Sequence, residues 1–354
     1  MTGSASPQTK IFEIDPTSDR RWEGLLQTHP SASIFHTPGW LEALRRTYGY
    51  TPIALTSSAP GAGLAGGLPC CTVTSMWGKK RLVSLPFSDH CRPLVGNHDE
   101  LVSLIQHLRN KVCGELWSSC EIRSSEVGNL ELLSRESGRR FVLHTLDLRR
   151  SANILYHNLH DDCVKRKISR AQREKIRCAD GRSERLVRDF YELLALTRRR
   201  HGLPPQPYQW FGNLIDSLQQ MLTISVAYLG RRPVAAILTL KFKQTVTYKY
   251  GCADDAYNRF GGTQLLFWNA IRAAKEAGAV EFDMGRSDVE DDGLIAFKDR
   301  WGTSRTELTY SHYPAKLPRS AFRDRQRAVG QYVLSHTPLG ILGVLGKVMY
   351  KYAG

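Results

Sequence analysis

The chain has 354 residues, 42% of them hydrophobic and 23% charged, which excludes a membrane-embedded body and suits two globular cores. Its 49 lysines and arginines outnumber 34 acidic residues, giving a formal charge of +15 and a preference for anionic partners: nucleic acid, phosphorylated small molecules or an acidic membrane surface. The eight cysteines include no C-x-x-C pair, so a zinc or iron–sulfur site is not expected and the metal-ligand set is none. MTGSASPQTK has no apolar core of the kind a secretion signal needs, and no run of about 18 apolar residues exists, so the cytoplasm is the expected compartment.

In chain order, Thr37 is placed to cap a helix with Pro38 in its first turn, TPGWLEALRRTYG. PIALTS, AGGLPCCTVTSM and KRLVSLPFS read as strands, 100–113 as a helix, CEIR as a strand, 126–137 as a helix and FVLHTLDL as a strand. CVKRKISRAQREKIRC (163–178) spaces Arg166, Arg170, Arg173 and Arg177 by four, three and four, which predicts one basic helix face. That face is either a phosphate-binding stripe or a solvated surface. RRRHGLPPQPYQWF (198–211) ends a helix at Gly202, and Tyr208, Trp210 and Phe211 begin a packed one.

The second half repeats the pattern. LTISVAYLG (222–230), PVAAILTLKFK (233–243) and TVTYKYGCA (245–253) predict three consecutive antiparallel strands. GGTQLLFWNAIRAAKEAG is a helix stopped by Gly278, VEFDMG (280–285) a strand, 293–301 a short helix and TELTYSHY (306–313) a last strand. The order β-β-β-α-β-α-β thus occurs twice, and a duplicated α/β unit is the economical reading. The expected domains are 1–150 and 151–320, with a tail helix over 321–354.

In the short helix, Lys298 projects among Leu294, Ile295, Phe297 and Trp301, the wrong place for an ordinary surface lysine. Either the ammonium snorkels out of an apolar stripe or it is held to face a substrate. A charged lysine there needs a carboxylate, and Asp283, Asp288 and Asp291 are the candidates.

The run YKYGCADDAYNRFGGTQLLFWNAIRAAKEAGAVEFDMGRSDVEDDGLIAFKDRWG resembles the FemAB-like branch of the GNAT acyltransferase superfamily, also labelled BioF2-like or CelD-like. The resemblance is densest over 282–302 and extends across residues 33–313. It implies an α/β (α+β) fold of two tandem GNAT-like domains, each a mixed, mostly antiparallel sheet flanked by helices, with a cleft for donor and acceptor. It also implies transfer of an acyl or aminoacyl group from an activated thioester or ester onto an amine, without a metal.

By the same resemblance Lys298 supplies positive charge to the oxyanion, Asp283 or Asp288 accepts the amine's proton, and Arg286, Phe297 and Trp301 contact substrate. The donor turn NRFGGT offers Arg259, Gly261, Gly262 and Thr263 to acyl-CoA, although one glycine pair replaces the two spaced glycines of the usual turn. Aminoacyl-tRNA is the alternative donor, with Arg166 and Arg170 as contacts. Asp89, His90 and Arg92, with Phe35, His36 and Trp40, are expected to border the acceptor cleft. The acceptor class is an envelope, exopolysaccharide or peptidoglycan precursor, free or lipid-linked.

The apolar tail TPLGILGVLGKVMYKYAG (337–354) carries Lys347 and Lys351. It suits either docking on its own domain or peripheral membrane contact from the inner face. A monomer is the default. Two competing classes are a nucleic-acid-binding protein using the arginine stripe and a catalytically silent GNAT-like scaffold.

Overall fold

A computed structural model describes residues 10–114, 117–124, 139–314 and 332–353. The chain forms two compact units, Met1–Arg140 with Leu308–Pro318 and Lys351–Gly354, and Phe141–Glu307 with Arg319–Tyr350.

In the first unit, strands β1 (Phe12–Ile14), β2 (Thr51–Thr56), β3 (Leu68–Thr74), β4 (Lys80–Ser84) and β5 (Cys120–Arg123) lie side by side in that order. β4 and β5 are parallel and the earlier pairs antiparallel. Helices α1 (Arg20–Thr28), α2 (Pro38–Tyr48) and α3 (His98–Cys113) accompany them. As the sequence predicts, the Thr37 side chain accepts from the Trp40 N–H at the head of α2, and Gly49 ends that helix at φ +71°. The apolar stripe of α3, Leu101, Leu104, Ile105, Leu108 and Val112, packs with Leu68, Leu82 and Ile122 of the strands.

The second unit contains β6 (Arg139–Asp147), α4 (Ala152–His157), α5 (Arg166–Arg173), β7 (Arg177–Gly181), α6 (Glu184–Arg200) and α7 (Tyr208–Leu218). β8 (Leu222–Leu229), β9 (Arg232–Phe242), β10 (Thr245–Ala253), α8 (Gly262–Glu276), β11 (Glu281–Asp288) and α9 (Asp292–Asp299) follow. Its strand order is β7-β8-β9-β10-β11-β6, antiparallel throughout except for the parallel β10–β11 pair. The last strand, β12 (Ser304–Tyr313), and helix α10 (Leu339–Ala353) complete the chain. The core centres on α8, whose Leu266, Phe267 and Ile271 meet Ala235, Ile237, Phe282 and Met284 of the strands.

Both series of elements end on a strand that serves the other unit. β6 closes the first series yet pairs antiparallel with β11, Leu146 opposite Phe282. β12 closes the second series, yet its Tyr310–Tyr313 stretch pairs with β5. A single cut near residue 150 therefore does not separate the compact units. The helix predicted over 126–137 lies outside the described residues.

The arginine face is shorter than the spacing predicts. α5 ends at Arg173 because Lys175 turns to φ +53° and Ile176 drops into the core, so Arg177 opens β7 and leaves the helical stripe. Just beyond, Gly261 sits at φ +78°, and a Cβ there would lie 2.2 Å from the Lys167 carbonyl oxygen. Gly261→Ala is expected to destabilise the protein by about 2 kcal/mol or more. A lowered urea midpoint at unchanged m-value is the readout.

Candidate active site

β10 and β11 run paired only from Thr245 opposite Glu281 to Thr247 opposite Asp283. Beyond that point both continue, as Tyr248–Ala253 and Met284–Asp288, and open away from their shared register. Each strand is irregular at the opening: β10 slips against β9 between Tyr248 and Tyr250, and β11 slips against β6 between Asp283 and Arg286. Bulges at this place bend both strands and re-aim their backbone groups.

Lys298 fixes one side of the opening. α9 starts at Asp291, whose Oδ1 accepts from the Leu294 N–H at 3.0 Å. One face inward, the Lys298 side chain is only 2% exposed, and its ammonium donates to the carbonyls of Gly285 and Arg286 at 2.8 Å each. The ammonium therefore does not snorkel. Asp283, also 2% exposed, takes the Gly285 N–H at 2.7 Å on Oδ1, and its Oδ2 stands 3.5 Å from the Thr247 hydroxyl. The two residues thus hold the backbone on either side of Gly285, one its N–H and the other its carbonyl, with Gly285 at φ +70°. Asp288 is half-buried at the end of β11, where its Oδ1 accepts from the Glu290 N–H at 3.4 Å. The Arg286 guanidinium lies 4.0 Å over the Phe141 ring.

His144 on β6, fully buried, was not singled out by sequence. Its Nε2 lies 3.5 Å from Asp299 Oδ1, and Asp299 in turn accepts from Arg305 Nε at 2.8 Å. Burial, and then the Lys298 cation, hold the His144 pKa below the ordinary imidazole value.

A pocket of about 330 Å³ lies in the same unit, lined by Lys167, Arg200, His201, Tyr248, Thr263 and Phe297 among others. Aromatic rings form one wall: Phe267 is 4.6 Å from Tyr248, 5.6 Å from Phe297 and 5.2 Å from Trp301. Trp301 is fully buried and belongs to the core behind that wall, so of the expected aromatic pair only Phe297 lines the pocket. The Tyr248 ring packs so closely on Gly251 that a Cβ there would lie 2.0 Å from the phenolic oxygen. His201, at the end of α6, is also unforeseen; burial, then Arg200 and Arg198, keep its pKa below normal and the imidazole neutral near pH 7.

α8 begins beside this pocket with Gly261 as its cap, which has no side chain to accept from the first N–H groups. Gly262 is there for packing: its Cβ would meet Val234 Cγ2 at 3.3 Å and the Ala227 Cβ at 3.4 Å. Thr263 reaches the pocket lining. Arg259 is exposed with its guanidinium 4.8 Å from the Phe260 ring, and Arg170 reaches the same ring at 5.5 Å. Tertiary structure thus joins the predicted donor turn to part of the predicted arginine stripe. Arg166, 73% exposed and 3.2 Å from Asp162, stays on the solvated face.

In the first unit, His36 and Trp40 are core residues with no exposed surface, which corrects their expected place on an open rim. Trp40 packs edge-on to Phe35 at 4.9 Å. The His36 Nδ1 accepts the Ser33 N–H at 3.0 Å while Nε2 reaches the Arg92 carbonyl at 2.8 Å, fastening the 88–92 loop. Asp89 and His90 are half-buried and Arg92 exposed. The Tyr310 hydroxyl donates to the Asp89 carbonyl at 2.7 Å, and buried Arg123 binds Glu121 at 2.8 Å and the Ser88 carbonyl at 3.1 Å. No motif announced this network, because its members come from four separated segments. Among the described residues, no group of three or more His, Cys, Asp or Glu is arranged to hold a metal.

Residues 162–299 match the acetyltransferase (GNAT) domain, the stretch that contains the pocket, the α8 turn and Lys298. The chain therefore carries a GNAT-type N-acyltransferase domain. Its fold is similar to that of two solved structures. FemX is 15% identical over 85% of this chain and 96% of its own, with a TM-score of 0.63. A tandem GNAT protein from the clavulanic acid biosynthesis pathway is 9% identical over 88% and 99%, with a TM-score of 0.53. No curated protein sequence matches the chain.

Two outcomes are expected. Lys298→Met leaves two buried carbonyls without their donor and lowers unfolding free energy by about 2–3 kcal/mol, readable from urea denaturation. Burial pushes the His36 pKa down to about 4 from 6.5, so below pH 6.5 the unfolded chain takes the proton first. Stability is therefore lost as pH falls from 6.5 towards 4, by on the order of 3 kcal/mol relative to a His36→Gln variant measured alongside.

Proposed function

We propose that the chain transfers an acyl or aminoacyl group from an anionic activated donor to the amine of an envelope, exopolysaccharide or peptidoglycan precursor. The observation that carries this reading is the glycine-initiated N-terminus of α8, uncapped by a side chain, beside the pocket at the opening of β10 and β11. Free N–H groups and the positive helix end suit a phosphate, and Lys167, Arg170, Arg200 and Arg259 add cations around it. The expected place for the donor's carbonyl is the opening itself.

In the reaction the amine nitrogen attacks the donor carbonyl, a tetrahedral oxyanion forms, and the thiol or ribose oxygen departs with the electrons of the broken bond. Lys298 contributes by holding the Gly285 peptide of the β11 bulge and by placing a fixed cation beside the developing charge. His201, neutral at pH 7 and in the pocket lining, is the group suited to take the amine's proton. Asp283 is the less suited carboxylate, because it is buried and its Oδ1 accepts from Gly285 at 2.7 Å; Asp288, half-buried with a longer 3.4 Å bond from Glu290, is the alternative base. The reading places the protein as a monomer in the cytoplasm or at the inner face of the membrane.

Acyl-CoA and aminoacyl-tRNA both present phosphates, and the Arg170–Phe260–Arg259 cluster is the observation that keeps the second donor in play. Thermal-shift titration separates them. Acetyl-CoA at about 100 times its Kd should add about 2.7 kcal/mol, and Thr263→Glu or Lys167→Glu should abolish the gain. Gly262 is a poor site for this test because a side chain there enters the core. A shift with charged tRNA alone, steeply weakened by salt and by Arg170→Glu, establishes the tRNA donor. Neither ligand giving a shift overturns the proposal.

With a donor in hand, the rate should fall on an acid limb centred below pH 6.5, and that limb should vanish in His201→Gln.

A further inference from the structure

Helix α10 carries two apolar faces, of which only one is covered. Leu342 is fully buried, Tyr350 donates its hydroxyl to the Pro204 carbonyl at 3.1 Å, and Gly346 presses so close to Pro205 that a Cβ would lie 2.0 Å from its carbonyl oxygen. The helix is thus firmly docked along the 342/346/350 line. Ile341, Val344, Leu345, Val348 and Met349 lie off that line and are 37% to 66% exposed. At about 100° per residue these five span an arc of about 140°, bordered on one side by Lys347 and Lys351. Docking alone does not account for a second apolar stripe of this width.

A second feature has the same chemistry. The tight turn between β3 and β4, closed by the Ser75 N–H to Lys79 carbonyl bond at 2.8 Å and by Gly78 at φ +75°, lifts Met76 and Trp77 into solvent at 65% and 85% exposure. Lys79 and Lys80 follow immediately and are exposed. Arg81 next to them donates to the Tyr352 carbonyl at 3.1 Å.

We infer that the outer face of α10 seats this protein on a membrane surface bearing anionic lipid, and that the Trp77 turn is a separate contact of the same chemistry. An apolar stripe edged by lysines, an exposed tryptophan beside lysines and a chain charge of +15 match the layering of acyl chains under anionic headgroups. Fifteen residues of helix are too short to cross, and no helix among the described residues is long and apolar enough to do so, so the contact is interfacial. The inference does not depend on the acyl-transfer reading, since neither element contributes to the pocket.

The test is sedimentation of the full chain with phosphatidylcholine vesicles and with vesicles that also contain phosphatidylglycerol. Six of the seven tryptophans are at most 8% exposed, so Trp77 serves as the native fluorescence reporter. The expected result is binding to the anionic vesicles with a blue shift that disappears in Trp77→Phe. Val344→Asp with Val348→Asp should weaken binding about tenfold or more without lowering the melting temperature. Lys347→Glu with Lys351→Glu should remove most of the preference for anionic vesicles. No binding to either vesicle overturns the inference. So does a lipid-independent self-association that the aspartate pair abolishes, because the face would then belong to a second copy of the chain.

Discussion

The site depends on how the backbone of one residue, Gly285, is held on both sides. At Gly285 the backbone leaves the register it shares with β6, and a bulge in a buried strand leaves polar groups that a neighbouring strand can no longer satisfy. Asp283 satisfies the N–H and Lys298 the carbonyl, from two elements that meet only in the folded chain. This arrangement gives a buried ammonium two carbonyl acceptors. It also fixes the edge of the gap between β10 and β11, from which the pocket follows.

The other edge is set by small residues. Gly261 takes a left-handed turn against the Lys167 carbonyl, and Gly262 lets α8 press on β8 and β9, so the helix starts at the pocket with its first N–H groups uncapped by a side chain. At the same turn Arg170 of α5 and Arg259 both stand over the Phe260 ring. Packing and anion chemistry are therefore coupled at this turn: a residue that filled the space would displace the charge.

The element order of the second half, the helix caps and the buried lysine were legible because each is local. Thr37, Pro38 and Gly49 act within a few residues of the helix they delimit, and the spacing of Leu294, Phe297 and Trp301 marks the face that Lys298 shares. His144 and His201 were not legible, since a histidine's value depends on what surrounds it and the neighbours come from distant segments. His36 and Trp40 were misplaced for the same reason: a helix cap fixes where a helix begins, whereas which side of it faces solvent is decided by the sheet it packs on.

The sequence by itself determined the β-β-β-α-β-α-β series of the second half, the basic character, the GNAT resemblance around 282–302 and the anomaly of Lys298, all carried by periodicity, caps and short motifs. Only the tertiary structure decided that β6 pairs with β11 and the end of β12 with β5. It also decided that Arg177 leaves the arginine stripe, and that the tail helix docks one apolar face while leaving another open. The physical reason is range: a cap or a heptad is written in neighbouring residues, but strand partners and buried hydrogen bonds are chosen by competition across the whole chain, where no single segment holds the answer.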